Sequence, residues 1–307
     1  MQKLELYKGL NLKTEDEVFD YMLDKLKETI ASYKYYTDFE KVLKNVKHIE
    51  IELNMLDYLI GKENVEEELY KLISKYPQVV SAFPILIAVR SKEIKVTIKN
   101  NNIVEILVYN FKKKKEYSEN EKKEIIHFLS ECGLLELFKS KQIKSVLDYV
   151  IGIEVGLDTN ARKNRTGKIM ENITEYFIKN LCEKYGYRYI AQANSIKIEK
   201  EFGKKIIVDK SDRQFDFAIL SQDKLYVIET NFFNSNGSKL KSVCGEFKSV
   251  NIFMKEKNIG VEYLWITDGL GWRASKKPLR EAYESIDHIL TIQMIEDGIL
   301  EQIIKQR

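Results

Sequence analysis

The sequence predicts an α/β (α+β) protein, a mixed sheet flanked by helices and preceded by a mainly helical N-terminal region. Three observations lead there. The second half reads as helix, strand meander, crossover helix and strand, the order of a mixed sheet with helices packed on it. The first half carries capping boxes followed by apolar residues at helical spacing. Hydrophobic residues are 44% and aromatic residues 11% of the 307 positions, enough for a real core. A disordered or fibrous chain is thereby excluded.

The elements of the first half follow in order. Thr14 with Glu17 forms a capping box, after which Val18, Met22, Leu26 and Ile30 share one helical face. Further helices are expected over residues 38–60 and 63–75. The apolar run 81–89, interrupted by Pro84, suits either a buried helix or a strand. Residues 95–98 and 103–110, joined across Asn100, Asn101 and Asn102, read as a hairpin. Ser118 with Glu121 makes a second capping box and opens a helix toward Cys132.

The second half changes character. A helix over 142–151 leads into the polar stretch GLDTNARKNRTG, read as a loop, and then a helix over 168–185. Short apolar runs at 187–191, 205–208, 215–220 and 225–230 are expected strands. The polar segment NSNGSK precedes a helix over 240–257, a strand over 261–266 and a helix over 278–285. Two regions result: 1–140, mainly helical, and 141–307, carrying the sheet, with a soft boundary near 135–145.

Several function classes can be set aside. Lys+Arg 50 against Asp+Glu 47 leaves a net charge of +3, so total charge names no partner and any nucleic-acid face must come from local clustering. Cys132, Cys182 and Cys244 are far apart and form no CxxC pair, which argues against disulfides and a cysteine zinc site. No stretch reaches the ~18 apolar residues of a membrane span, and a cytoplasmic protein with no membrane partner is expected. No Walker A loop or GxGxxG occurs, so no nucleotide cofactor is expected. His48, His127 and His288 form no spaced constellation.

The chemistry-bearing segment is Asp216 in QFDFAIL, followed by Glu229 and Asn231 in LYVIETNFF. Consecutive strands with a short turn place the two carboxylates on neighbours, and residues two apart leave the same strand face. Acids are common in this chain, so the spacing alone is weak. Their apolar settings strengthen it, because an unpaired carboxylate among Phe, Val and Ile is costly and calls for a cation. Hard divalent ions such as Mg²⁺ take carboxylates plus substrate phosphate, and such a site hydrolyses phosphodiesters. Glu171, on the helix after the basic stretch, is the candidate third acid; it equally suits an ordinary helix surface.

The basic stretch carries Asn160, Arg162, Lys163, Asn164, Arg165 and Lys168, with no acid from Thr159 to Met170. Arg and Lys neutralise phosphates, while Arg and Asn pair with guanine and adenine edges. In NSNGSK, Ser238 and Lys239 open a helix, where backbone amides favour an anion. Lys239 can touch a phosphate or the attacking water, or stand there without a partner. The run Lys112–Lys115 reads as a solvated face.

Taken together, GLDTNARKNRTGKIMEN, FDF, IETNFF, GSKL and WITDGLGW, in that order over about residues 150–280, resemble the DpnII/MboI family of type II restriction endonucleases. The resemblance implies a PD-(D/E)XK nuclease fold, Mg²⁺-dependent cleavage of double-stranded DNA at GATC, and a homodimer. It further implies cutting before the guanine with four-base 5′ overhangs, and protection by adenine methylation. Asp216 matches the first motif acid and Glu229 the second; Phe215 replaces the usual proline and Asn231 the usual lysine. That lysine normally orients or deprotonates water and stabilises developing charge, and an asparagine supplies no charge. A lysine from elsewhere, Lys239 first, is expected to compensate.

The expectation is thus a Mg²⁺-dependent endonuclease with Glu171, Asp216 and Glu229 holding metal and Asn231 beside the attacking water. The basic stretch would grip DNA, and the N-terminal half would supply a dimer surface, DNA clamps or both. A structure-specific nuclease on the same fold, and a non-catalytic DNA-binding module, are the alternatives.

Overall fold

The structure, a computed structural model, describes residues 3–100, 103–222 and 224–305. A 3-10 segment, Lys3–Leu10, precedes α1 (Glu15–Asp24). Then come α2 (Phe39–Lys47), α3 (Glu50–Leu56), α4 (Val65–Lys75) and α5 (Phe83–Leu86), the hairpin β1 (Glu93–Asn100) and β2 (Ile103–Asn110), and α6 (Glu119–Glu131), α7 (Leu134–Lys139) and α8 (Val146–Thr159). The rest of the chain forms α9 (Arg162–Tyr185), β3 (Arg188–Ala193), α10 (Ser195–Phe202), β4 (Phe215–Ser221) and β5 (Lys224–Phe232). It continues with α11 (Ser238–Lys257), β6 (Val261–Asp268), α12 (Gly271–Ala274), α13 (Lys276–Ser285), β7 (His288–Leu290), α14 (Ile292–Glu296) and α15 (Ile299–Lys305).

The chain divides into two compact units, residues 33–162 and residues 1–32 with 163–307. The first is helical apart from its antiparallel hairpin; Asn101 and Asn102 at the expected hairpin turn lie outside the described residues. The second holds a five-stranded mixed sheet in the order β3-β4-β5-β6-β7. Its first three strands are antiparallel, while β5, β6 and β7 run parallel, joined by the α11 crossover and the α12–α13 connection. The mixed α+β architecture is as expected. Strands β4 and β5 read FAIL and LYVI through the core, without polar alternation, because successive residues on both faces are buried there.

Local signals held where they were strongest. Both capping boxes form, Thr14 with Glu17 and Ser118 with Glu121. Of the run 81–89, residues 81–86 are helical, a 3-10 segment Pro77–Ala82 continuing into α5 with Pro84 in its first turn, and the chain then turns out of the helix. α1 stops at Asp24, so Leu26 is buried from an irregular segment and Ile30 only packs against the core.

Other expectations are corrected. GLDTNARKNRTG is not a loop: α8 runs to Thr159 and α9 begins at Arg162. Only Asn160 and Ala161 separate them, and their amides are satisfied by Leu157 and Asp158 carbonyls at 3.3 and 3.0 Å. Glycine and asparagine lower helix propensity without forbidding it, and the arginines and lysines around them favour it. Residues 205–208 form no strand. Their backbone is held by a side chain instead, Asn258 accepting from the Ile207 amide at 2.7 Å and donating to its carbonyl at 2.9 Å. Helix α10, capped by Asn194, was not expected.

The unit boundary also differs from 140. It falls at Arg162/Lys163, inside the first turn of a helix, where no composition change marks it. Residues 1–32 join the later unit because the apolar face of α1 (Val18, Phe19, Met22 and Leu23) belongs to the same core cluster as the sheet. Ion pairs Asp16–Arg280 at 2.7 Å and Asp20–Lys276 at 3.2 Å line its rim.

Candidate active site

The antiparallel register of β4 and β5 sets Phe217 opposite Ile228 and Ala218 opposite Val227. One step further the same register sets Asp216 opposite Glu229, and cross-strand neighbours share a face. Asn231, two residues on, leaves that face too, beside Trp265 and Thr267 of β6. The two strand acids expected as neighbours are neighbours.

Their environments differ. Asp216 is half-buried, and its Oδ2 accepts from the amide and hydroxyl of Thr230 at 2.7 and 2.8 Å. Burial pushes its carboxyl above the ordinary value, the Thr230 donors oppose that, and the charge of Glu171 adds to it. Glu229 makes no hydrogen bond or ion pair among the described residues. Burial, then the charge of Asp216, push its carboxyl well above the usual range, while Arg213 acts in the opposite sense. A desolvated carboxylate with no hydrogen-bond donor, set beside another carboxylate, is costly when ionised and becomes favourable when a cation is present.

Glu171 approaches from α9. Its side chain is 20% exposed, and Oε2 accepts from Lys168 at 3.0 Å and from Gln192 at 3.2 Å. Among the described residues no three of His, Cys, Asp and Glu converge as a ready metal site. The arrangement is therefore a carboxylate pair with a third acid held beside it, not a closed three-acid cage. That still fits Mg²⁺, which binds through one or two carboxylates and keeps its remaining positions for water and substrate phosphate.

Asn231, expected beside the attacking water, has its carboxamide oxygen already engaged. Its Oδ1 accepts from Thr267 at 2.5 Å and from the Trp265 indole at 3.3 Å, and Trp272 donates to Thr267 at 2.8 Å. What Asn231 offers outward is its amide N–H. The tether depends on a close turn: Gly269, at φ +105°, and Gly271 pack so tightly on the Phe233 carbonyl that neither has room for a Cβ.

The other expected residues are dispersed. Ser238 and Lys239 are exposed in the first turn of α11, and among the described residues Lys239 makes no ion pair with either acid. Asn160 is exposed, and Arg162 donates Nε to the Tyr36 carbonyl at 3.1 Å within the 33–162 unit. Asn164 is exposed, Arg165 half-buried, and the Lys163 side chain lies outside the described residues.

Two site residues escaped the sequence reading. Arg213, with a side chain 9% exposed, grips Asp209 through Nε and Nη2 at 2.8 and 2.7 Å and Glu246 through Nη1 at 3.2 Å. Its place three residues before Asp216 was the available clue. Gln192 carried no signal. Nearby, the Tyr263 hydroxyl is buried with no hydrogen bond among the described residues, and burial, then the charge of Glu229, push its ionisation well above the ordinary tyrosine value.

Comparison with known proteins gives a consistent result. A family model described as DpnII restriction endonuclease matches residues 18–302. The type II restriction enzyme MjaIII of Methanocaldococcus jannaschii is 46% identical over 291 residues, covering 94% of this chain and 99% of its own length. MboI of Moraxella bovis is 39% identical over 290 residues, 93% of this chain and 95% of that enzyme. DpnII of Streptococcus pneumoniae is 35% identical over 290 residues, 93% and 98% respectively.

Proposed function

The chain belongs to the DpnII restriction endonuclease family, and on that premise we propose that it cuts both strands of duplex DNA at GATC with Mg²⁺. Cleavage falls before the guanine, leaving 5′ overhangs, and adenine methylation in the site protects. As a type II restriction enzyme it is a site-specific deoxyribonuclease acting on double-stranded DNA. The observation that best supports the chemistry is Asp216 and Glu229 side by side at the ends of β4 and β5, with Glu229 half-buried and lacking a hydrogen bond or ion pair among the described residues.

In this reading Asp216 and Glu229 hold the metal, with Glu171 beside them. Bound Mg²⁺ would activate water and stabilise charge building on the phosphorus oxygens. Arg213 keeps a fixed positive charge near Glu229. Asn231 presents an N–H donor, its oxygen being committed to Thr267 and Trp265. Asn160, Arg162, Lys163, Asn164, Arg165 and Lys168 are the proposed DNA contacts. A palindromic target is read by a two-fold dimer, so a homodimer is part of the proposal.

The test is incubation with Mg²⁺ and either unmethylated or adenine-methylated duplex, followed by mapping of the ends. Fragments ending at GATC, absent from the methylated sample, are expected. Cutting that ignores both sequence and methylation would favour a structure-specific nuclease. Metal-independent binding with no cutting would favour a non-catalytic module, with Asn231 as the reason.

Ser238 and Lys239 are assigned to substrate phosphate, since both are exposed where α11 begins. Lys239→Ala is expected to raise KM for duplex DNA several-fold and to reduce the salt slope of binding by about 1. An unchanged KM and salt slope would remove Lys239 from the interface, and an unchanged cleavage rate would end its candidacy as the compensating lysine.

A further inference from the structure

Gln192 lies in β3 at the position opposite Asp216, yet the ladder skips it: Ala191 pairs with Phe217 and Ala193 with Phe215. The cause is its backbone, at φ +51° in the left-handed region that residues with a Cβ rarely enter. Such a conformation persists only where surrounding contacts hold it, and such residues gather at functional sites.

The contacts are specific. The Gln192 amide nitrogen donates to Glu171 Oε2 at 3.2 Å, its side-chain oxygen accepts from Gln214 at 2.5 Å, and its backbone carbonyl accepts from Lys197 at 2.9 Å. Gln192 thus spans from the edge strand to α9, and Gln214 stands two residues before Asp216. With Lys168 it occupies one oxygen of Glu171 and leaves Oε1 without a hydrogen bond among the described residues.

We propose that Gln192 is a positioning residue that orients Glu171 toward the Asp216–Glu229 pair, so that Glu171 Oε1 is directed at a divalent cation and its water. This rests on the metal-nuclease reading above and adds to it a residue on the edge strand outside the acid motif. The left-handed backbone removes Gln192 from the ladder, which frees its side chain to reach α9. Groups that orient a metal-binding carboxylate typically change metal affinity or activity by 10–100-fold when removed.

The test uses the full-length chain and two variants, Gln192→Ala and Gln192→Gly. Glycine accepts the left-handed backbone without its side chain, so it separates the amide from the conformation and guards against misfolding of the alanine variant. Mn²⁺ binding is followed by the EPR signal of free Mn²⁺, and cleavage of unmethylated GATC duplex is followed over a metal series. Both variants are expected to bind Mn²⁺ about tenfold more weakly. Their kcat should fall at low metal and recover at high metal, with KM for DNA unchanged.

Wild-type Mn²⁺ affinity and metal dependence in Gln192→Gly would overturn the proposal, whatever the alanine variant does, because the amide would then be dispensable. A wild-type protein that binds no Mn²⁺ and cuts no duplex would overturn the nuclease reading and this inference with it. The two failures are distinguishable, since the first leaves wild-type activity intact.

Discussion

Glu229→Gln is expected to abolish cleavage while making the metal-free protein more stable. The substitution keeps the shape of the side chain and removes the charge that a divalent cation would need. Metal-assisted charge stabilisation is worth several kcal/mol, so the rate should fall on the order of 10³-fold or more. Stability should move the other way, because Glu229 is a half-buried, desolvated carboxylate beside Asp216 with no hydrogen bond among the described residues. Relief of such a conflict commonly yields about 0.5–2 kcal/mol, or roughly 2–4 °C in Tm per kcal/mol in a unit of this size.

The pH dependence follows with a definite sign. Glu229 and Asp216 both have folded values raised above the ordinary carboxyl range. A raised acid stabilises the fold relative to its ionised form at low pH, and that advantage is lost as pH rises from the unfolded value of about 4 through the folded one. Metal-free wild type should therefore lose stability toward neutral pH, and Glu229→Gln should flatten that slope. Divalent metal should raise the Tm of wild type at neutral pH and leave the variant nearly unchanged. Thermal melts across pH, with and without metal, decide it; a variant less stable than wild type at pH 8 without metal would contradict the assignment.

Asp268→Ala is expected to produce the largest loss of stability. Asp268 ends β6 and is 0% exposed. Its Oδ1 accepts from the amides of Lys27 and Gly269, both at 2.7 Å, and its Oδ2 from Ile292 at 2.9 Å. One carboxylate thus ties the segment after α1, the turn after β6 and the start of α14 together. Removing it leaves three backbone donors unsatisfied at about 1–3 kcal/mol each. The expected loss is roughly 3–9 kcal/mol, a fall in Tm of about 6–36 °C at about 2–4 °C per kcal/mol. Asp268→Asn, which keeps one acceptor, should recover part of it. Amide exchange should show Lys27, Gly269 and Ile292 losing protection together. A melt within 1–2 °C of wild type would show that water replaces the carboxylate at no cost.

Features that depend on neighbours along the chain are legible before any fold is known. The capping boxes at Thr14 and Ser118, the β4–β5 meander and the α11 crossover are written in adjacent residues. Because side chains alternate along a strand, Glu229 and Asn231 had to share a face once β5 was recognised, and a short turn made Asp216 their neighbour. The family resemblance was legible from the same segments.

Tertiary structure decided what depends on residues far apart. Nothing near α1 announces that its apolar face belongs to a core built after residue 163; only burial against the sheet assigns it there. GLDTNARKNRTG has the composition of a loop, yet all of it except Asn160 and Ala161 lies in α8 and α9. Asn231 has its oxygen tied to Trp265 and Thr267 of the neighbouring strand, partners that nothing beside it in the sequence indicates. Arg213 and Gln192 enter the site through hydrogen bonds to Glu246 and Glu171, partners 33 and 21 residues away. Periodicity records which face a residue occupies. Which distant group it meets there is fixed by strand register and helix packing, and these exist only after the chain has closed on itself.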